Sequence, residues 1–238
     1  MRTTKLGAVL ATLALTTGTA ALLGAGPAQA ATATTTTFFA SGGVHRVTAA
    51  YRDSIGAFYG YVKDGASNPV TAGDAVLQRR LPGHGWKNIA TDSTPDFVGF
   101  GRTGDRATGN MQYRVHYLGG TDGTATWGPS YSSVVTVRTE WNLHENGTCT
   151  GGCRFFGKLS PKAKNHRVTI QVKHGSWKTY KVVRTNRRSH WNAKVVATWG
   201  RGTLYRAVVG KTRHEVRTFS QIYRFYKIRA SRAVVSGR

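Results

Sequence analysis

Short runs in which apolar and polar residues alternate recur along most of the chain, for example in residues 167–173 and 191–197. A period of two places successive side chains on opposite faces of a β-strand. Apolar residues at the 3.6-residue spacing of an amphipathic helix do not recur, whereas Thr, Val, Tyr and Gly are plentiful. The pattern therefore predicts an all-β chain. Trp177 and Trp191 each occupy the first inward position of a predicted strand, so we expect both in the core rather than as sugar-stacking platforms.

One hairpin pattern occurs twice. Residues 77–80 (Leu-Gln-Arg-Arg) lead through a Gly/Pro turn into residues 86–90, which begin with Trp-Lys. Residues 170–173 (Ile-Gln-Val-Lys) lead through His-Gly-Ser into residues 177–180, which also begin with Trp-Lys. About ninety residues separate the two patterns, which is the length of one small β-domain. We expect two copies of one β-sandwich, each built around such a hairpin.

The second copy contains a longer frame: Phe-x-Gly-x-Leu, a Pro turn, x-Val-x-Ile-Gln, Gly-x-Trp-Lys, Ser-x-Trp-x-Ala-x-Val and Tyr-Arg-Ala. The residues concerned are Phe155, Gly157, Leu159, Pro161, Val168, Ile170, Gln171, Trp177, Lys178, Trp191, Tyr205 and Arg206. This frame resembles the Ig-like or fibronectin-type-III-like β-sandwich repeats of secreted actinobacterial proteins, over most of residues 139–228 and more loosely over residues 44–138. The resemblance implies two tandem Ig-like antiparallel β-sandwiches that serve as extracellular spacers, adhesive modules or accessory domains beside an enzyme.

The expected domain boundaries follow from the repeat. The first sandwich should cover residues 44–138, and the second, strongly basic sandwich should cover residues 139–230. The Thr/Ala/Gly-rich residues 31–43 are expected to be a flexible N-terminal segment, and residues 231–238 a short C-terminal tail. No Ser/Gly-rich or Pro-rich spacer separates the two copies, so we expect a restricted domain angle.

The N-terminus has the pattern of a cleaved signal peptide. Arg2 and Lys5 precede the apolar residues 6–23, and residues 28–30 (Ala-Gln-Ala) form a small-residue cleavage site. We therefore expect residues 1–30 to be removed and the mature protein to be secreted. A retained membrane anchor is the alternative. No later stretch approaches the ~18 apolar residues that a transmembrane helix needs.

Positive charge is concentrated in the second copy. The formal net charge is +24. Residues 31–138 contain ten Lys or Arg and seven Asp or Glu, a net +3, whereas residues 139–238 contain 22 Lys or Arg and three Glu, a net +19. Such a charge favours anionic partners: wall polymers, nucleic acid, acidic glycans or lipid head groups. The alternative is a basic surface that only keeps the protein in solution.

Nine of these cations fall on one predicted hairpin, its exit turn and the predicted last strand. These candidate polyanion-binding residues are Lys173, Lys178, Lys181, Arg184, Arg187, Arg188, Arg224, Lys227 and Arg229. On neighbouring outward positions they would form a basic stripe along a polyanion backbone. Tyr223, Phe225 and Tyr226 are interleaved with the last three and would suit stacking on bases. Lys and Arg on an edge strand equally protect it from strand-to-strand aggregation.

The two cysteines, Cys149 and Cys153, are spaced Cys-Thr-Gly-Gly-Cys. Two cysteines in an exported chain favour a disulfide, and the glycines let the chain fold back on itself. A redox-active pair is the alternative, but the Cys-x-x-Cys spacing is missing. No second Cys/His pair at zinc spacing occurs, so no metal site is expected.

Known catalytic motifs do not occur in the chain. Gly-x-Ser-x-Gly, His-Glu-x-x-His and the P-loop pattern are all missing, and the eight His are scattered. We expect no catalysis and no cofactor. The predicted function is therefore an exported, non-enzymatic protein with a binding or accessory role at the cell envelope. The alternatives are a secreted nucleic-acid-binding protein, or a small hydrolase or enzyme inhibitor, since a Ser-His-Asp triad is defined in space.

Overall fold

β-Strands make up nearly all the regular structure of the protein. The structure is a computed structural model, and it describes residues 30–101, 105–227 and 233–237. Within these ranges the helical structure is one short 3-10 turn, Pro95–Phe97, and no helix is long and apolar enough to cross a membrane. The predicted all-β class is confirmed. The predicted signal peptide, residues 1–30, lies almost entirely outside the described residues.

We call the part of the chain up to Glu140 the N-terminal half and the remainder the C-terminal half. The strands of the N-terminal half are β1 (Thr34–Ala40), β2 (Arg46–Ala50), β3 (Phe58–Asp64), β4 (Ala75–Arg80), β5 (Lys87–Asp92), β6 (Val98–Phe100), β7 (Met111–Tyr117), β8 (Gly120–Thr121), β9 (Thr126–Trp127), β10 (Ser130–Tyr131) and β11 (Val135–Glu140). The strands of the C-terminal half are β12 (Asn142–Thr148), β13 (Arg154–Ser160), β14 (Arg167–His174), β15 (Ser176–Arg184), β16 (His190–Lys194), β17 (Thr198–Trp199), β18 (Thr203–Val209), β19 (Thr218–Phe219), β20 (Tyr223–Lys227) and β21 (Ala233–Gly237).

Each half has its own hydrophobic core, built from a three-stranded sheet and a larger sheet. In the N-terminal half these are β1-β3-β6 and β2-β11-β7-β4-β5, with β10 beside β7. In the C-terminal half they are β12-β13-β16 and β15-β14-β18-β20-β17, with β19 beside β18 and β21 beside β20. Phe58 and Tyr113 lie fully buried in the first core, and Phe155 and Phe225 lie fully buried in the second. The pairs between β2 and β11 and between β17 and β20 are parallel, unlike the predicted antiparallel arrangement.

The segment expected to be flexible is mostly a strand. Within residues 31–43, β1 pairs with β3 along its whole length, from Thr34 to Ala40. Phe38 is completely buried in the core. Thr is β-branched and fits a pleated, half-buried surface, so this run forms a strand as soon as it has a partner. The prediction of a flexible segment was therefore wrong.

The predicted C-terminal tail is also partly a strand. Within residues 231–238, β21 pairs with β20 in an antiparallel register that runs from Tyr223 opposite Gly237 to Lys227 opposite Ala233. The large sheet of the C-terminal half therefore extends beyond the predicted boundary at residue 230.

Both predicted hairpins are present and share one irregularity. The β4–β5 register shifts between Leu77 and Gln78, and the β14–β15 register shifts between Ile170 and Gln171. Such a shift is a β-bulge, in which an extra residue on one strand bends the pair locally. The bulge occurs at the same position of the Leu/Ile-Gln pattern in each half.

The glycine of the repeated Phe-x-Gly pattern lies where two strands approach closely. A Cβ at Gly60 would lie 2.3 Å from the Thr37 carbonyl oxygen. A Cβ at Gly157 would lie 2.5 Å from the His144 carbonyl oxygen and 2.9 Å from the Trp191 ring. These positions exclude any side chain because the backbone already fills the space.

The disulfide predicted between the two cysteines is present. Cys149 and Cys153 have their Sγ atoms 2.09 Å apart and their Cα atoms 3.9 Å apart. The bond closes the turn between β12 and β13.

One loop of the C-terminal half, residues 210–217 between β18 and β19, is hydrogen-bonded to the N-terminal half. The Asn110 backbone N–H donates to the His214 carbonyl at 2.5 Å, and the Val216 N–H donates to the Thr139 carbonyl at 2.8 Å. The described residues from 31 onward pack as one compact unit. The two cores are therefore connected by backbone hydrogen bonds as well as by the chain itself.

Candidate polyanion-binding surface

The candidate cations of β14 and β15 lie on two different faces of the sheet. Residues directly opposite each other in an antiparallel pair share a face. Lys181 and Lys178 lie opposite Ile170 and Val172, whose side chains are buried, so both lysines lie on the core side of this edge strand, where they remain exposed. Lys173 alternates with the buried residues of β14 and lies on the outer face. The single stripe predicted for this hairpin was therefore wrong.

The turn that follows β15 presents its cations outward. The Asn186 side-chain oxygen accepts hydrogen bonds from the backbone N–H groups of Arg188, at 2.8 Å, and of His190, at 3.0 Å. These bonds hold the turn, and Arg187 and Arg188 lie exposed on it. Arg184, at the end of β15, is exposed and donates to the Asn165 carbonyl at 2.9 Å.

The two described candidates of the predicted last strand have different neighbours. Arg224 is exposed and donates to the Arg201 carbonyl at 2.9 Å, while the Lys227 ammonium lies 5.8 Å from the centre of the Trp199 ring. Arg229 lies outside the described residues. Whether any of the nine candidates binds a polyanion stays a prediction.

The aromatic residues interleaved with these cations mainly pack inside the protein. Phe225 is completely buried. The Tyr223 ring packs 5.0 Å from the Phe155 ring, and its hydroxyl donates to the Glu145 carbonyl at 2.9 Å. The Phe225 ring therefore offers no open face on which a base could stack, and the half-buried Tyr223 ring is partly covered by Phe155.

Carboxylates do not neutralise the basic surface. Of the 22 Lys and Arg residues after residue 138, 19 lie in the described residues, and the other three are Arg229, Arg232 and Arg238. None of those 19 lies within 4.0 Å of a carboxylate oxygen; the ion pair present in the described chain joins Arg79 and Asp105 of the N-terminal half at 2.5 Å.

Two of the three glutamates after residue 138 are bound inside the fold. The Glu215 carboxylate is buried and accepts a hydrogen bond from the Thr212 hydroxyl. One oxygen of Glu145 accepts from the Gln221 N–H at 3.0 Å, and the other is buried without a hydrogen-bond partner in the described part of the chain. Burial raises the pKa of the Glu145 carboxyl above its ordinary value. These acids hold the structure and leave the exposed cations uncompensated.

A cation–aromatic cluster on the outer face was not anticipated from the sequence. The Arg206 guanidinium lies 4.3 Å from the Trp177 ring centre and 4.6 Å from the Phe219 ring centre. Its Nε donates to the Gln171 side-chain oxygen at 2.8 Å. Burial and the neighbouring Arg217 charge lower the Arg206 pKa, although a guanidinium stays charged at any physiological pH.

Trp177 is consequently not a core residue. It is half-buried on the outer face beneath Arg206, so the prediction that it lies in the core was wrong. Trp191 is 3% exposed and packs edge-on against Phe155, as predicted.

The N-terminal half contains the same cluster. The Arg114 guanidinium lies 4.3 Å from the Trp86 ring centre and 4.2 Å from the Tyr131 ring centre. Its Nε donates to the Gln78 side-chain oxygen at 2.8 Å. The repeated Gln and the repeated Tyr-Arg pair were visible in the sequence and could have indicated this cluster, since Gln and Arg lie opposite each other in both halves.

A groove of about 690 Å³ lies beside the cluster of the C-terminal half. We call it groove C; its lining residues are His166, Arg167, Thr169, Gln171, Thr179, Val208, Gly210, Lys211 and Arg217. Three of these are cations and none is a carboxylate. Burial lowers the pKa of His166, while the nearby Glu215 carboxylate opposes that shift.

Comparison with known proteins adds no functional assignment. No protein-family model matches the chain, and no curated protein sequence matches it. The described residues contain no group of three or more His, Cys, Asp or Glu side chains arranged to hold a metal ion.

Proposed function

We propose that this protein is an exported, non-enzymatic β-sandwich protein whose C-terminal half binds anionic polymers of the cell envelope by electrostatic contact. The observation that carries the proposal is the set of 19 described Lys and Arg residues after residue 138, none paired with a carboxylate. Unpaired, exposed charges of one sign raise the local concentration of the opposite charge. A polymer with many anionic groups is the ligand class that this surface favours.

A polymer is a better ligand for such a surface than a single small anion. An exposed ion pair contributes only about 0–1 kcal/mol in water. Several such contacts with one chain add together and release the polymer's condensed counterions, which makes binding strong at low salt and weak at high salt. The turn that presents Arg187 and Arg188 offers two adjacent contacts of this kind.

Nucleic acid is a less suitable ligand for the surface around groove C. Single-stranded binding without sequence preference relies on bases stacking on open aromatic rings. The Trp177 and Phe219 rings beside the groove are each within 5 Å of a guanidinium group. The arrangement therefore favours recognition of anionic groups over recognition of bases.

The test measures retention of residues 31–238 on a purified cell-wall fraction and on the same fraction after extraction of its anionic polymers. We expect retention on the first only, with release at 0.5 M salt, where the screening length falls to about 4–5 Å. Retention that survives 0.5 M salt, or that survives the extraction, would refute electrostatic docking. Tighter binding to duplex DNA than to the wall polymer would favour the nucleic-acid alternative.

A charge-removing variant locates the binding residues. Replacing Arg187→Ser and Arg188→Ser together should weaken retention and lower the slope of log affinity against log salt by roughly one to two. The matched control is Arg46→Ser with Arg52→Ser, which removes the same charge from the N-terminal half. Equal effects of the two double variants would remove Arg187 and Arg188 from the site.

A further inference from the structure

Two grooves adjoin the 210–217 loop. Groove C is on the C-terminal half and includes Gly210, Lys211 and Arg217 of the loop. The second groove, of about 380 Å³, is on the N-terminal half. We call it groove N; its lining residues are Arg80, Leu81, Pro82, Gly83, His84, Asn110, Met111, Gln112 and Thr136.

Arg213 of the loop lies against groove N. A Cβ placed on Gly83, which lines groove N, would lie 2.5 Å from an Arg213 guanidinium nitrogen. Lys211, which lines groove C, is two residues away from Arg213 along the chain. Two residues span at most about 7 Å of backbone, so the backbones of Lys211 and Arg213 are close together, and both side chains are exposed.

Five cations lie on the surface from groove N to groove C. Arg80 lies in groove N, Lys211 and Arg213 lie on the loop, and Arg167 and Arg217 lie in groove C. No carboxylate lines either groove. The carboxylate that belongs to the loop is buried and hydrogen-bonded within it, as described above.

The loop is fixed in place before any ligand binds. The Thr212 hydroxyl accepts from the His214 and Glu215 backbone N–H groups, both at 3.0 Å. The Asn110 side-chain amide donates to the Arg213 carbonyl at 3.3 Å, in addition to the backbone bond to His214. A cationic segment ordered in this way loses little further freedom on binding.

We propose that groove N, the 210–217 loop and groove C form one continuous path for an extended anionic polymer that contacts both halves of the protein. This inference rests on the polyanion binding proposed above and specifies where the polymer lies. The ligand class is a flexible chain with phosphate or carboxylate groups and no aromatic bases. The rings that border the path support this choice: Trp86 lies within 5 Å of the Arg80 and Arg114 guanidinium groups, just as Trp177 lies beneath Arg206.

The path gives the N-terminal half a role that its charge does not suggest. That half has a net charge of only +3 over residues 31–138, yet Arg80 lines groove N. A short anion fits within one groove, whereas a long one reaches both. Affinity should therefore rise with polymer length more steeply for the native protein than for a variant in which the path is interrupted.

The test measures binding of residues 31–238 to a short and a long inorganic polyphosphate by competition against a fluorescent polyanion. The loop variant carries Lys211→Ser and Arg213→Ser. Its control carries Arg52→Ser and Lys63→Ser, which removes the same charge from positions of the N-terminal half that line neither groove. We expect the loop variant to lose about tenfold affinity for the long chain and the control to lose less than about threefold.

A second pair of variants tests the N-terminal end of the path without removing any cation. Thr136→Glu places a carboxylate in groove N, and Thr136→Gln is its uncharged counterpart. We expect the Glu variant to weaken binding of the long chain, and the Gln variant to bind as the native protein does. Thermal unfolding of each variant shows whether the fold is retained.

The possible outcomes separate the two proposals. If the native protein binds neither polyphosphate, the proposed function fails. If it binds but the loop variant matches its control, or if Thr136→Glu matches Thr136→Gln, the path is wrong while polyanion binding stands. If a single-stranded oligonucleotide binds more tightly than polyphosphate of equal charge, the assigned ligand class is wrong.

Discussion

Replacing Arg206→Lys tests whether the cation–aromatic cluster stabilises the fold. Lysine keeps the charge but loses the planar guanidinium that lies 4.3 Å from Trp177 and 4.6 Å from Phe219. It also loses the Nε donor that bonds Gln171 at 2.8 Å. The substitution therefore removes the planar group and its directional contacts while the net charge stays constant.

The expected loss of stability follows from these three contacts. Each cation–ring contact at a partly exposed site contributes about 0.5–1 kcal/mol, and a hydrogen bond to a charged donor contributes about 1.5 kcal/mol or more. Part of this is retained, because an ammonium at the end of a flexible chain still reaches the rings. We therefore expect a net loss of about 1–2 kcal/mol, which for a chain of this size lowers Tm by roughly 3–6 °C.

The assay is urea and thermal unfolding followed by circular dichroism. Arg114→Lys removes the matching guanidinium from the N-terminal half and should show a similar loss. Arg187→Lys, on an exposed turn, is the control and should change stability by less than about 0.5 kcal/mol. If Arg206→Lys behaves like this control, the ring contacts contribute nothing and the reasoning is refuted.

Two further predictions concern Gly157 and Glu145 of the C-terminal half. Gly157→Ala should destabilise the fold by about 2 kcal/mol or more, because the new Cβ meets the His144 carbonyl at 2.5 Å. Gly85→Ala is the control, since its Cβ meets nothing within 4 Å. Equal denaturant midpoints for the two variants would contradict this prediction. The raised pKa of Glu145 means that folding favours the protonated carboxyl. The resulting contribution to folding stability is present below the ordinary carboxyl pKa and is lost as pH rises through the folded pKa. Glu145→Gln should therefore be more stable than the native protein at pH 7, with the difference shrinking in acid; an unfolding series from pH 3 to 7 that shows a constant difference would exclude this account.

The strands could be predicted from the sequence because alternation depends only on neighbouring residues. Val168, Ile170 and Val172 are buried as their spacing predicted. Residues 31–43 were misjudged because a Thr-rich run has no apolar alternation, and its strand forms only against β3, which follows it in the chain. Long-range pairing of this kind leaves no local signal.

The sequence predicted the positive charge of the candidate site but not the face of the sheet on which its side chains lie. The bulge between Ile170 and Gln171 shifts the pairing of β15, so that Lys178 and Lys181 lie on the core side of the edge and Trp177 lies on the outer face. A shift of one residue exchanges the two faces of a strand, and nothing in the hairpin sequence reveals where the shift occurs. The 210–217 loop was missed for a different reason, because its position beside groove N depends on contacts between the two halves.

The contacts of the 210–217 loop also bear on where the chain can be cut into separate fragments. A chain ended at the repeat boundary, residue 138, loses Thr139, whose completely buried hydroxyl donates to the Gly109 carbonyl at 2.6 Å. It also removes the His214 carbonyl that accepts a hydrogen bond from the Asn110 backbone N–H. A fragment that ends at residue 138 therefore lacks two hydrogen bonds that Gly109 and Asn110 make with later residues in the intact chain.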